Sequence, residues 1–190
     1  RIGEVVAAST SEFTVHCYRL YDTPPLGSLV RAGSDTITYG VIGEISTNSL
    51  DPGRRTIAVG ERAESEQEVY KDNPQLNRLL STELRCMVAG HKIDGQLQHY
   101  LAPLPPRIHA FVHTCCYDEL REFSESFEFL QLLVSAPFGS TDDVISSFLR
   151  LASQAQPESE NFLFDGGKQL AKLLSGDSQR LSAILRRLSP

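Results

Sequence analysis

The residues best able to bind a metal ion lie on one predicted strand, at positions 108–116. Because alternate side chains of a strand point to the same side, four residues share one face: His109, Phe111, His113 and Cys115. Imidazole and thiolate groups at this spacing can serve one zinc ion. The chain has no Cys-x-x-Cys pair and no His-Glu-x-x-His motif, so a further ligand would have to come from His91 or His99. An ordinary hydrogen-bonded strand face explains the pattern better, and we predict no metal site.

The sequence contains no complete motif for phosphate binding or for covalent catalysis. The segment nearest to a P-loop is Gly166-Gly167-Lys168, but Gln169 follows it and Phe162 stands where the first glycine should be. We interpret this segment as a helix start weakened by glycine, with a solvated lysine. No Gly-x-Ser-x-Gly elbow occurs.

Two acidic pairs, at 118–119 and 142–143, could suggest acid and base roles. Both stand where helices are predicted to begin, and carboxylates are favourable at the positive end of a helix dipole. We therefore predict no catalytic residue, no cofactor and no enzyme activity. A hydrolase whose residues are dispersed along the sequence stays an alternative, because catalytic groups need not be neighbours in the chain.

Charge is unevenly distributed along the chain. The formal net charge of −6 disfavours unaided binding to nucleic acid, since that affinity comes largely from neutralised phosphates. Residues 118–165 contain two basic residues against ten acidic ones, whereas residues 166–190 contain five basic residues against one acidic residue. The C-terminal segment is therefore locally basic.

The predicted last helix, residues 177–188, combines an apolar stripe with three arginines. The spacing of the stripe residues places them on one face: Leu181, Ile184, Leu185 and Leu188. We expect this stripe to pack on the protein itself. Arg180, Arg186 and Arg187 flank it, and we predict that they form a docking surface for a partner or another subunit. The alternative is a packed helix with a solvated basic face.

Cysteine usage and hydropathy bear on where the protein works. Cys115 and Cys116 are adjacent, so on a strand they would point to opposite faces, and the four cysteines indicate no disulfide framework. We predict a cytoplasmic protein with no membrane span, because no apolar run approaches the roughly 18 residues required. The chain begins with Arg1 rather than Met, so we expect an upstream segment, where a targeting peptide would lie.

The first part of the chain has the pattern of short strands. Apolar and polar residues alternate with a period of two, and we predict strands at 2–7, 13–18, 28–32, 36–45, 83–91, 96–101 and 108–116. Gly40 and Gly43 indicate bends or bulges in the fourth strand. Residues 46–73 are expected to form an exposed excursion, and Asn73-Pro74 to begin a short helix. These elements predict a small antiparallel β-barrel over residues 1–117.

Near Asp118 the hydrophobic period changes to that of a helix. Apolar residues then recur at steps of three and four on one face: Leu120, Phe123, Phe127, Leu130 and Val134. Breaks at 137–139, 157 and 175–176 separate this run from three further helices. Residues 118–190 are thus predicted to form a helical domain. The expected fold class is α+β, with a barrel followed by a helical bundle.

The barrel segment resembles the HAS-barrel family. Four stretches carry the resemblance in order: IGEVV at 2–6, STSEF at 9–13, PPLGS at 24–28 and YGVIGEI at 39–45. Segments 84–91 and 97–106 are similar to the closing half of such barrels, which are shared by HerA-type DNA-translocating ATPases and ATP synthase subunits. The resemblance covers residues 1–117 and implies packing and docking roles. In HerA-type proteins an ATPase core follows, and this sequence lacks its phosphate-binding loop.

Two classes of function fit these features. The first is a non-catalytic assembly or adaptor protein that acts through protein contacts of the barrel and of the helical region. The second is a nucleic-acid-associated accessory protein related to the HerA-type translocases, since small barrels often carry such sites and the C-terminus is basic. The acidic balance, and the lack of a recognisable strand face that is both aromatic and basic, favour the first.

Overall fold

Antiparallel strands are the main regular structure in the first part of the protein. The structure is a computed structural model that describes residues 1–51, 53 and 56–188. Within these residues the strands are β1 (Gly3–Ala8), β2 (Glu12–Cys17), β3 (Leu29–Ala32), β4 (Ile37–Ser49), β5 (Leu80–Ile93), β6 (Gln96–Gln98) and β7 (Phe111–Thr114). Their pairings are antiparallel.

Six of the strands close into a barrel. Their order is β2-β1-β7-β3-β4-β5, and β5 pairs again with β2, which completes the ring. The short strand β6 pairs with β5 outside this ring. Closure gives the six strands neighbours on both sides along the barrel wall, which removes the exposed edges of an open sheet there. The predicted N-terminal antiparallel barrel is confirmed.

Two glycines allow β4 to bend as it turns around the barrel. The pairing register between β4 and β5 shifts at Gly40 and again next to Gly43, so the predicted bulges are confirmed. A Cβ atom on Gly40 would lie 2.6 Å from the ring of Phe13, which is buried inside the barrel. A Cβ atom on Gly43 would lie 2.8 Å from the ring of Phe138 on the outside. Glycine is needed at both positions because aromatic rings approach the backbone closely.

The inside of the barrel is filled by its own apolar core. Its buried members are Val5, Phe13, Val15, Cys17, Val30, Ala32, Ile42, Leu84, Cys86, Val88 and Val112. They come from all six strands of the ring. Because alternate residues of these strands point inward, a period of two is enough to fill the interior.

The helices follow the barrel in the chain, apart from two short ones between β4 and β5. Those two are α1 (Glu66–Asp72) and α2 (Leu76–Leu79). The others are α3 (Tyr117–Phe123), α4 (Phe129–Ser135), α5 (Thr141–Ser153), α6 (Ser159–Leu173) and α7 (Ser178–Leu188). The predicted helical C-terminal region is therefore confirmed. Among the described residues, no helix has the length and apolar character that crossing a bilayer would need.

A second core joins the helices to the outside of the barrel. Five buried residues of β3, β4 and β5 belong to it: Leu29, Tyr39, Val41, Met87 and Ala89. The helices contribute the remaining buried members, which are Phe123, Phe129, Leu130, Leu133, Val144, Ile145, Phe148, Leu149, Ala152, Phe162, Leu170, Leu174, Ile184 and Leu188. This shared core covers one side of the barrel, and the outer faces of β1, β2 and β7 are not part of it.

Several element boundaries differ from the sequence prediction. The apolar run after Asp118 is divided between α3, which ends at Phe123, and α4, which begins at Phe129, and where α3 ends the Ser124 hydroxyl donates to the carbonyl of Leu120 at 2.6 Å. The excursion between β4 and β5 contains α1, which the sequence did not predict. β4 and β5 extend several residues further than predicted, whereas β6 and β7 are shorter.

The close approach of Phe13 to Gly40 generates a stability prediction. We expect Gly40→Ala to lower the free energy of unfolding by about 1–3 kcal/mol, since the added methyl group would overpack the barrel interior. Gly139→Ala is a matched control, because a Cβ atom at Gly139 meets nothing within 4 Å. Urea denaturation followed by circular dichroism measures both. Equal stabilities of the two variants would contradict the packing of β4 described above.

Candidate docking surfaces

The C-terminal helix α7 packs its apolar stripe on the protein, with one exception. Ile184 and Leu188 are buried in the shared core, and Leu181 packs half-buried against it. Leu185, which the spacing assigns to the same stripe, is 37% exposed. It lies at the border with α6, where a Cβ atom on Gly167 would come within 3.3 Å of its methyl group. The expected burial of Leu185 is therefore wrong, because the buried stripe is narrower than the sequence pattern.

Arg180 is turned toward α5. Its Nε atom donates to Asp142 Oδ1 at 2.7 Å, and its Nη2 atom donates to the carbonyl oxygen of Val134 at 3.3 Å. The Arg180 and Asp142 side chains are only 27% and 29% exposed, so solvent screens this pair less than a surface ion pair. Arg180 thus connects α7 to the first turn of α5 and to the end of α4.

The other two arginines lie on different sides of α7. Arg187 Nε is 2.6 Å from Asp143 Oδ1, and the carbonyl oxygen of Arg187 accepts a hydrogen bond from Arg150. Arg186 is exposed and lies on the far side of the helix from Ile184, since two residues correspond to a rotation of about 200°. The three predicted residues therefore do not form one surface. Their role in partner binding stays a prediction.

The predicted zinc face is divided among different surroundings. β7 begins at Phe111, so His109 precedes the strand, and its backbone has a φ of +65°. Its Nδ1 atom is 2.9 Å from Glu4 Oε2. Cys115 is largely buried, and this burial raises the pKa of its thiol, which disfavours the thiolate that a metal requires. Among the described residues, no group of three or more His, Cys, Asp or Glu side chains could hold a metal ion.

The glycine pair that partly resembles a P-loop lies inside a helix. α6 begins at Ser159, so the interpretation of Gly166-Gly167 as a helix start is wrong. A Cβ atom on Gly166 would lie 3.1 Å from the ring of Phe127, which indicates that the glycines let α6 approach its neighbours. Lys168 donates to Asp165 at 3.0 Å within the same helix.

An exposed apolar cluster lies on the side of the barrel that the helices leave uncovered. We call it the barrel face and define it by Val6 on β1, Tyr18 after β2, Ile108 in the loop before β7, and Phe111 at the start of β7. These side chains are 40%, 47%, 51% and 48% exposed, respectively. β1 lies between β2 and β7 in the barrel wall, so the strands that carry the cluster are neighbours.

Charged groups order the aromatic side chains of the barrel face. The guanidinium carbon of Arg1 lies 5.1 Å from the ring centroid of Tyr18 and 4.3 Å from that of Phe111. The hydroxyl of Tyr18 donates to Glu4 Oε1 at 2.7 Å. This hydrogen bond and the one from His109 lower the pKa of Glu4, so its carboxylate stays charged at neutral pH. These contacts restrain the two rings in the absence of a partner.

An open groove of about 640 Å³ lies where the chain after β6 meets α4 and α6. Its polar lining comes from His99, Ser126, Glu128, Gln131, Gln169 and Lys172. His99 Nε2 donates to the carbonyl oxygen of Phe123 at 2.9 Å, and its ring meets the ring of Phe123 edge to face. Burial lowers the pKa of His99, which keeps it neutral at pH 7. The groove is wide open, and we assign no ligand to it.

In comparisons with known proteins, no family model matches the chain and no curated protein matches it. The resemblance to the HAS-barrel family therefore stays a prediction, carried by the short stretches of sequence that gave rise to it. The structure adds the closed barrel of six strands in the same part of the chain.

The sequence pattern singled out the arginines of α7 but not the barrel face. Tyr18 and Phe111 are separated by more than ninety residues, and only the pairing of β1 with both β2 and β7 brings them together. A weak signal was present, because Phe111 alternates with the buried Val112 and so had to point away from the barrel interior. Nothing in the sequence tells which side of the barrel the helices cover.

The packing of α7 leads to a prediction that separates two neighbouring residues. Ile184→Ala should lower the free energy of unfolding by about 2–5 kcal/mol, because Ile184 is fully buried. Leu185→Ala should lower it by less than about 1.5 kcal/mol, since part of that side chain is already in water. Urea denaturation of both variants provides the measurement, and a greater loss for Leu185→Ala would show that α7 packs in a different rotation.

Proposed function

We propose that this protein is a non-catalytic assembly or adaptor protein that acts through protein–protein contacts of its barrel and its helical region. The main support for the proposal is that the helices cover only one side of the barrel and leave apolar side chains exposed on the other. Helices α3, α4 and α5 pack on the outside of β3, β4 and β5, and α6 and α7 pack on these helices, whereas the barrel face exposes two aromatic and two aliphatic side chains. Contiguous exposed apolar side chains with a polar rim are typical of protein interaction sites.

The composition of the barrel face supports protein binding. Aromatic residues and arginine are enriched at the centres of protein interfaces, and Tyr18, Phe111 and Arg1 lie in contact there. Glu4 and Arg1 restrain the two rings, so a partner would immobilise few additional rotamers on binding. A preordered aromatic cluster of this kind is a suitable anchor for a partner surface.

The resemblance to HAS-barrels supports the same role. We propose that the barrel is of this type, and such barrels serve in packing and docking within larger assemblies. The absence of a P-loop from the sequence supports a chain that has no motor activity of its own. Of the three arginines of α7, Arg186 is the one directed to solvent without an ion pair among the described residues. It is our candidate for the contribution of the helical region.

One observation favours the alternative, a nucleic-acid-associated protein. Exposed aromatic side chains next to an arginine can stack on bases, and Tyr18, Phe111 and Arg1 form such a group. Glu4 lies within the same cluster, however, and its charge repels phosphates. The net charge of −6 acts in the same direction. We therefore place protein binding first.

Substitution of the central aromatic residue of the barrel face tests the proposal. We expect Phe111→Ser to weaken self-association or partner capture at least about tenfold, because it removes the anchor of the cluster. Phe164→Ser is the control, since Phe164 is 66% exposed on α6 and is not part of the barrel face. Light scattering after size-exclusion chromatography measures self-association, and affinity capture from the native cell measures partner binding.

The outcomes of this comparison are distinct. If Phe111→Ser and Phe164→Ser both behave like the wild type in both assays, the barrel face has no docking role. Binding of a single-stranded oligonucleotide that weakens steeply with salt and is lost in Phe111→Ser would favour the alternative function. The circular dichroism spectrum of each variant must match that of the wild type for either result to be used.

A further inference from the structure

Strand β4 continues past the end of β3 with β5 as its only neighbour among the described strands, and from Thr47 to Ser49 these two strands form a two-stranded arm. The pairing of β3 with β4 covers Thr38 to Val41, and the last bonds from that side reach Ile42. The pairing of β4 with β5 continues without interruption from Glu44 to Ser49. Beyond Ile42, the side of β4 that faces away from β5 therefore has no neighbouring strand among the described residues. We call residues 45–49 on this side the arm edge.

The hydrogen-bond pattern of the arm shows which backbone groups face outward. Leu50 donates its N–H to the carbonyl oxygen of Leu79 at 2.9 Å, next to the register pair of Ser49 with Leu80. In an antiparallel ladder, hydrogen-bonded pairs alternate with pairs that do not exchange bonds. Leu50 belongs to a hydrogen-bonded pair, so the pairs of Ser49, Thr47 and Ile45 with β5 are of the other kind. The N–H and C=O groups of these three residues therefore point away from β5.

Side-chain geometry agrees with this assignment. The hydroxyl oxygens of Thr47 and Thr82 are 2.9 Å apart, and these two residues are register partners. Side chains approach most closely in the pairs that do not exchange backbone bonds. Among the described residues, the backbone groups of Ile45, Thr47 and Ser49 have no hydrogen-bond partner. The arm edge thus presents a row of free donors and acceptors.

The arm edge lacks the features that usually prevent strand addition. Proteins protect free edges with proline, lysine or covering segments. Residues 45–49 contain neither proline nor a charged side chain, and Ile45 is 39% exposed. Glu44, at the barrel end of the arm, is engaged by Arg85 at 3.1 Å. Chemically, this edge accepts another strand.

We propose that the arm edge pairs with the arm edge of a second copy of this chain, in an antiparallel arrangement with Thr47 on the two-fold axis. Ile45 of each copy then faces Ser49 of the other, and each outward pair exchanges both of its N–H···O bonds. Glu44 faces Leu50, so identical charges do not meet across the axis. An identical edge is self-complementary in this register, as a two-fold interface requires.

Apolar side chains near the arm edge supply the area that backbone pairing alone lacks. A stable interface buries about 1,200–2,000 Å² in total, more than five paired residues provide. Leu50 directly follows the arm edge and is 50% exposed, and further along the chain Ile57 and Val59 are 73% and 44% exposed. Thr56 lines one open groove together with Ser49 and Leu50, so Thr56 lies beside the arm. A second copy would bury Leu50 and approach Thr56 as it pairs with the edge.

A proline at the centre of the arm edge tests the pairing. Thr47→Pro removes an outward N–H that plays no part in the pairing with β5, so the fold should persist while dimerisation weakens at least about tenfold. Thr47→Val is the control, because it also loses the hydroxyl but keeps the N–H. Sedimentation velocity over a concentration series measures the dimer fraction of each protein. Circular dichroism checks that each is folded.

Hydrogen exchange on the wild type gives a readout that does not depend on any variant. At low concentration the amides of Ile45, Thr47 and Ser49 should exchange rapidly, and at high concentration slowly. The amides of Ser46 and Asn48, which face β5, should stay protected at both. A wild type that is monomeric at every concentration, or a dimer in which these three amides stay unprotected, would overturn the proposal. The proposal would also be overturned if this protein were monomeric and a co-purified segment of another protein protected these three amides.

Discussion

The structure depends on one constraint, which is that β4 and β5 are apolar on both faces. Their inward side chains fill the barrel, and on their outer side Tyr39, Val41, Met87 and Ala89 are equally shielded from water. A barrel alone would leave this outer group exposed, at a free-energy cost of about 25 cal/mol for each Å² of apolar surface. The helical region supplies the missing cover. Barrel and helices are therefore linked by packing, although they differ in hydrophobic period.

The position of the barrel face follows from the way the helices cover the barrel. Because the helices occupy the outside of β3, β4 and β5, the barrel face is left on the opposite side, where aromatic side chains meet solvent. The acidic first turn of α5 receives Arg180 and Arg187, so the basic charge of the C-terminal segment is partly used inside the molecule. Part of the charge difference between the two segments of the sequence therefore serves ion pairs within the molecule, and only the remainder is available to a partner.

Sequence reasoning found the features that depend on neighbouring residues. The period of two and the glycines of β4 predicted the barrel and its bulges, and the apolar stripe of residues 177–188 predicted the last helix. Features that depend on contacts between distant elements were not accessible. The ion pair between Arg180 and Asp142 and the meeting of Tyr18 with Phe111 are of this kind. The division near Ser124 was missed because the spacing of the apolar residues on both sides of it fits one continuous helix.

Native-state hydrogen exchange is the most direct test of whether the barrel and the helices unfold as one cooperative unit. The slowest amides of β4 and β5 and the slowest amides of α5 should show the same free energy of opening, because one shared core protects both. Increasing urea should lower the two values in parallel, to a common global unfolding. Exchange of the α5 amides through an opening of much lower free energy, while the amides of β4 and β5 stay protected, would contradict this dependence.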